Sequence, residues 1–347
     1  MKVTIREVAK QAGVAPSTVS RVIANSSRIS SKTKARVRET MEALGYHPNF
    51  NARNLVNNRT NMLGVIIPGA SEVAFQNPFF PEVLRGITTK AYTAGYGLAL
   101  STGQTDEDIF NEVKQMVQSC RVDGIILLSS KIDDQIIPYL LEQQFPFVLV
   151  GRPDNIATKN ITYVNNDNVK AAKLVTEYLL LLGHEAIGFI GGQQEAIVTV
   201  DHAAGYEQAL HNAAIPMNRD YSVYYQEVLE GGQQAVIELM SLEKPPTALI
   251  VADDLMALGV LRMLDEMQVS VPEDISVISF NNVMLSELSS PPLTTVDIHI
   301  YELGQKATDA LVEKIQTPDI EAKTIIVPHR LIKRQSCKKL DHLAPSK

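Results

Sequence analysis

Apolar residues in the first 45 positions recur at helical spacing. Ile5, Val8, Ala9 and Ala12 line one face of a predicted helix that Gly13 ends. A second helix opens at Pro16, a residue suited to a first turn because its missing N–H has no intrahelical partner there. Val19, Val22 and Ile23 form its inner stripe and leave Ser17, Thr18 and Arg21 outward. Ser30 or Ser31 can cap a third helix that carries Val37, Met41 and Leu44 and stops at Gly45. Two short helices joined by a glycine-containing turn form a helix-turn-helix pattern, although small three-helix bundles share it. Pro48 then breaks the chain. Asn49 can cap a weak helical segment, Phe50 to Val56, too short and polar to persist alone, and a polar linker, Asn57 to Thr60, follows.

From Met62 the pattern changes. Short apolar runs (MLGVII, YGLALS, GIILLS, PFVLV, AIGFI, TALIV, ISVIS) alternate with amphipathic stretches such as Phe79 to Ala94, Asn111 to Cys120, Asn168 to Leu182 and Leu255 to Met267. Strand–helix–strand order predicts an α/β fold with parallel sheets and right-handed crossovers. The units are too many for one comfortable sheet, which predicts two lobes with a cleft between them.

Charge divides along this boundary. Residues 1–60 hold 11 Lys/Arg and 3 Asp/Glu, against 21 and 36 in the remainder, within a chain of net charge −7. A basic head on an acidic body is expected where one small domain meets phosphate. At 347 residues, 45% of them hydrophobic, the chain can bury a sizeable core. No apolar run approaches the roughly 18 residues of a membrane span. MKVTIREVAK has no apolar block after its lysine, so no signal peptide is expected, and Cys120 and Cys337 lack metal-ligand spacing. A reducing cytoplasm follows, without disulfide, zinc or other cofactor. Gly191–Gly192 lacks the GxGxxG or GxxxxGK[ST] of phosphate loops and reads as a tight turn. With no GxSxG elbow, HExxH or EF-hand loop, no catalytic constellation is visible and no enzyme is expected.

Read in order, TIREVAKQAGVAPSTVSRVI, ALGYHPNFNARNL, LGVIIP, NPFF, RVDGIILL, LGHEAIGFIGG, DDLMALGV and SSPPLTTV resemble the LacI/GalR family of bacterial transcription repressors from Thr4 to about Arg334. Within it, SFNNVMLSELSSPPLTTVDI is most similar to maltose-operon repressors. The resemblance implies an all-α helix-turn-helix head (1–47), a hinge helix and linker (48–60), and a core (61–334) of two Rossmann-like subdomains of periplasmic-binding-protein type, with a tail at 335–347. It places one subdomain at about 61–163 and 294–320 and the other at about 164–293 and 321–334. It further implies a homodimer on double-stranded operator DNA, controlled by a small sugar.

In such a head Ser17 and Arg21 reach base edges together, while Thr18, Ser20 and Asn25 suit phosphate contacts; Thr4 is implied as a further DNA contact. In the hinge, Leu55 is implied as a minor-groove wedge, with Asn51 and Arg53 on backbone or groove edges. The matching effector positions are Phe79, Arg152, His202, Asp253 and Asn281; Asp253 or Asp254 could instead cap the following helix. Asn281 stands where many members have Asp, and His202 where an Arg usually precedes the AGY or AGF motif. Losing both charges points to a neutral effector, and the maltose-repressor-like block implies that it is maltose or a maltodextrin. Two other readings stay open. One is a catabolite regulator controlled by a phosphorylated carrier protein, members of which carry Arg where this chain has His47. The other is a sugar-modifying enzyme, which leaves residues 1–60 unexplained.

Overall fold

A computed structural model describes residues 3–23, 25–46, 59–69, 71–154 and 160–340. The chain forms two compact units, Met1–Thr60 and Asn61–Lys347. The expected hinge contacts Asn51, Arg53 and Leu55 lie outside the described residues, as does His47.

In the head, α1 (Ile5–Ala12), α2 (Pro16–Ile23) and α3 (Ser31–Ala43) enclose a core of Val8, Ala9, Ala12, Val19, Val22 and Val37. Gly13 ends α1 in the left-handed region (φ 64°), its N–H returning to the carbonyls of Ala9 and Lys10. A side chain there would be strained, so glycine is the natural stop. Ser30 caps α3, accepting from the Thr33 N–H.

The larger unit contains two sheets. The first comprises β1 (Met62–Ile66), β2 (Gly97–Leu100), β3 (Gly124–Leu127), β4 (Phe147–Val150), β5 (Tyr163–Asn165) and β11 (Thr324–Ile326). Its order is β11-β5-β4-β3-β1-β2, all parallel. The second comprises β6 (Ile187–Gly191), β7 (Ser222–Tyr224), β8 (Ala248–Val251), β9 (Ser276–Asn281), β10 (Thr294–Asp297) and β12 (Arg330–Ile332). Its order is β12-β10-β9-β8-β6-β7, and there only β12 is antiparallel to its neighbour. Every residue of β3, β4, β6 and β8 is buried. Helices cover both faces of the sheets, which is why these strands read as continuous apolar runs rather than alternating ones.

Helices pack closely where glycine allows it. A Cβ on Gly86 would stand 2.2 Å from the Tyr301 carbonyl oxygen, and one on Gly304 2.2 Å from that of Val83. These reciprocal gaps join the helices Phe79–Ala94 and Ile300–Gln316 over the first sheet.

The chain passes between the lobes three times: after β5, after β10, and between β11 and β12. Two strands lie across the expected boundaries. Thr294–Asp297 belongs to the second sheet, where it pairs with β9. Thr324–Ile326 belongs to the first, pairing with β5. The reason is that each crossover follows a short closing strand. TTVD and TII are too brief to declare their sheet, whereas the helices beside them are plain in the sequence.

Candidate functional site

On the head, Ser17, Ser20 and Arg21 are exposed and Thr18 half-buried on α2, opposite the stripe of Val19 and Val22. A four-residue spacing puts Ser17 and Arg21 on one face, as base reading by a recognition helix requires. Asn25 adopts φ 53° just beyond α2. Its Oδ1 accepts from both Lys34 Nζ (3.2 Å) and Arg38 Nη2 (3.1 Å), and its carbonyl accepts a further bond from Lys34. Asn25 thus gathers two cations of α3 at the end of α2, which sequence spacing did not show. Thr4, the further DNA contact expected, has its side chain engaged locally. It closes a capping box, donating its N–H (2.7 Å) and hydroxyl (2.9 Å) to the Glu7 carboxylate. Those bonds hold Glu7 below the usual carboxylate range. A hydroxyl spent on a cap beside a negative charge is a poor phosphate donor.

In the larger unit, residues at the C-terminal ends of strands from both lobes converge, where open α/β sheets bind ligands. Arg152 follows β4 of the first lobe. It donates Nε (2.9 Å) and Nη2 (2.6 Å) to Asp201 Oδ1, and Nη1 to the Pro153 carbonyl. Asp201 is buried on the helix Ile197–Asn212 of the second lobe. Asn77 of the first lobe donates its amide to Asp253 Oδ2 (3.0 Å), at the end of β8. Asp253 Oδ1 also caps the helix Asp254–Glu266 through the Met256 N–H (2.8 Å). Desolvation raises the Asp253 carboxyl above its ordinary value despite these donors. Backbone bonds complete the contact: Ile132 N–H to the Glu195 carbonyl (2.8 Å) and Ile197 N–H to the Ser130 carbonyl (3.0 Å). The lobes therefore close on each other through their own polar groups.

Phe79 is half-buried, edge-on to Phe80 with ring centroids 5.3 Å apart. Asn281 (φ 102°) and Asn282 (φ 52°) are both left-handed at the end of β9, a conformation that asparagine tolerates better than most residues. Asn281 opens on a groove of about 850 Å³ lined also by Pro78, Met284 and the charged Glu82, Arg85, Asp297 and Glu302, but not by Arg152, Asp201 or Asp253.

His202 is placed differently from its expected role. It is buried, with its ring stacked on that of Phe280 (centroids 4.0 Å, interplanar angle 16°). Burial pushes it down to about 3, so it is neutral. Its neighbour Asp201 supplies the polar contact instead. Asp201, Asn77 and Ser130 were all missed in the sequence. Ser130 Oγ is buried with no hydrogen-bond partner among the described residues. Asp201 directly precedes His202 before the AGY motif, but its partner lies 49 residues away, and no local spacing announces it. Asp254, the alternative considered for the cap, is buried deeper; it accepts from Ser279 Oγ (2.6 Å), Thr295 Oγ1 (2.7 Å) and the Val283 N–H (2.8 Å).

The chain matches known proteins over most of its length. Residues 4–49 match the lacI family of bacterial regulatory proteins, and residues 176–337 a periplasmic binding protein-like domain. The transcriptional regulator MalR of Streptococcus pneumoniae serotype 4 is 40% identical over 319 residues, 91% of this chain and 93% of that protein. The chain belongs to the lacI family. Among solved structures, a putative transcriptional regulator LacI from Bacillus cereus subsp. cytotoxis NVH 391-98 is similar to this lacI-family regulator at 51% identity. Its TM-score is 0.79, over 81% of this chain and 99% of that one. The lac repressor dimer bound to operator and the anti-inducer ONPF superposes with a TM-score of 0.84 at 26% identity, over 97% of this chain and 100% of that one. This lacI-family protein is a DNA-binding transcriptional regulator, and no enzymatic activity is indicated. No helix among the described residues is long and apolar enough to cross a membrane.

Proposed function

We propose that this regulator is a repressor that binds a pseudo-palindromic operator as a homodimer and is released by a neutral sugar, maltose or a short maltodextrin. The observation that carries the reading is the cleft's charge balance. The Arg152 guanidinium is neutralised by Asp201 across the cleft, and Asn281 offers a carboxamide where an acid would add charge. A site whose guanidinium is already paired, and whose other charged side chain is the Asp253 carboxylate held by Asn77, disfavours phosphates and carboxylates and leaves its donors and acceptors for hydroxyls. Likeness to a probable maltose operon transcriptional repressor, malR, supports maltose. A helix-turn-helix reads one half-site, so a two-fold dimer on a palindrome is the natural assembly.

The sugar acts through unequal affinity for two arrangements of the lobes. Closing them on ligand alters the spacing of the first lobes of a dimer, into whose β1 the chain runs from the head. Linkage is reciprocal: operator must weaken sugar binding by the factor that sugar weakens operator binding. Calorimetric titration of maltose into the protein, with and without operator duplex, tests both statements. Equal affinities in the two titrations remove the induction mechanism. If no maltodextrin binds, the sugar assignment fails and the DNA-binding reading stands.

A further inference from the structure

Three separate stretches of chain run side by side between the lobes, and one buried side chain touches all of them. Asn166 lies on the first crossover, directly after β5, and is only 3% exposed. Its single Nδ2 donates one N–H to the Ile298 carbonyl (3.0 Å) on the second crossover and the other to the Val327 carbonyl (3.0 Å) on the third. Both donors of the amide are thereby used. No hydroxyl, carboxylate or apolar side chain of similar size can bridge two carbonyls in this way.

The surroundings show why this matters. On one side the first and third crossovers are already joined by the β5–β11 ladder, which the Val327 N–H extends to the Asn165 carbonyl (2.8 Å). On the other side the second and third are joined by the β10–β12 ladder, ending at Asp297 opposite Arg330. Between the two ladders lie residues 166, 298–299 and 327–329, where the strands stop pairing. Here His299 takes φ 53°, directly after the carbonyl that Asn166 holds, and its N–H turns back to Asp297 Oδ1 (2.9 Å). The backbone changes direction at the point the amide clasps.

We infer that Asn166 is a positioning residue that binds the three crossovers into one pivot. Through it, closure of the cleft is transmitted as rotation of one lobe against the other rather than dissipated as independent bending of three strands. A buried amide shared by three segments makes their displacements dependent on one another, because moving any one alone leaves an unpaired carbonyl in the interior. The regulatory half of this inference rests on the repressor reading above; the clasp itself does not.

Asn166→Asp tests it, since the substitution preserves shape but sets acceptors against both carbonyls. Asn166→Ala serves should the first variant not fold, and Asn166→Gln, which keeps both donors on a longer stem, is the conservative control. Hydrogen exchange of the full chain is expected to accelerate at least tenfold in peptides covering 296–300 and 325–329 together. Peptides within Ala248–Val251 and Asp254–Glu266 should stay unchanged, and the Gln variant should fall between wild type and Asp. Retained protection at 296–300, or acceleration spread evenly over both lobes, overturns the clasp. The second readout is the factor by which saturating maltose weakens binding to an operator duplex selected with the wild-type protein. In the Asp or Ala variant this factor is expected to drop at least tenfold while maltose affinity without DNA changes less than threefold. An unchanged factor overturns the positioning role. If maltose does not release the wild type, the sugar reading falls, and the exchange measurement alone decides the clasp.

Discussion

Arg152 and Asp201 stand on opposite lobes and meet in a two-donor ion pair, with Nη2 2.6 Å from Oδ1 and the carboxylate 5% exposed. A pair so placed holds the cleft closed, and removing one partner leaves a charge facing the other lobe unpaired. A double-mutant cycle of Arg152→Ala and Asp201→Ala should show a coupling of about 1–3 kcal/mol in unfolding free energy. Each single change should also weaken sugar binding by disfavouring the closed arrangement. A coupling within about 0.3 kcal/mol of zero would mean that the two side chains do not hold the lobes together.

Arg21 is exposed on α2, one turn beyond Ser17. A guanidinium there can donate two bonds to a guanine edge, and its loss should cost about 1–3 kcal/mol of specific affinity. Arg21→Ala is therefore expected to relax preference at one base pair per half-site. A systematic panel of operator variants measures this. An equal loss on operator and random DNA would make Arg21 a phosphate contact.

Asn25 predicts the opposite signature. Because it gathers Lys34 and Arg38, Asn25→Ala should weaken operator and random DNA to similar degrees. It should also flatten the dependence of log affinity on log salt, by about 0.9 for each phosphate that is no longer neutralised. Binding isotherms across a salt series give the slope directly. An unaltered slope would show that the two cations reach DNA without Asn25, or do not reach it.

Much of this was legible in the sequence, for physical reasons that differ by region. The head could be read because apolar residues recur at helical spacing within each helix, as Val8, Ala9 and Ala12 do in the first and Val19 and Val22 in the second, with Gly13 and Pro16 marking the turn. The α/β core could be read because strands covered on both faces are unbroken apolar runs, as in GIIL and ALIV. What could not be read are relationships set by folding over long separations. Asn77 with Asp253, Arg152 with Asp201, and Asn166 with Ile298 and Val327 are 49 to 176 residues apart. The position of His202 was found but not its environment. A helical residue faces the cleft or the core according to neighbours, here Phe280, that sequence does not place beside it.

Two buried groups of the second lobe should oppose each other in acid. His202 has its pKa lowered by burial to about 3, so its contribution to stability is full above its ordinary value near 6.5 and is lost as pH falls below it. Desolvation raises Asp254 to about 7 against its three donors. Its contribution is therefore full below its ordinary value near 3.8 and is lost as pH rises through 7. Each group can change stability by at most about 1.4 kcal/mol per pH unit, so between roughly pH 4 and 6.5 the two slopes offset. Substitution should separate them. Relative to wild type, His202→Phe, which keeps an aromatic face against Phe280, should gain stability steadily as pH falls from 6.5 to 4.5. Asp254→Asn should lose stability relative to wild type over the same range. Urea unfolding midpoints at four pH values provide both differences, with every other titrating group common to the three proteins. Difference curves that run parallel, or a His202→Phe curve that is flat, would show that His202 is not held neutral in the core.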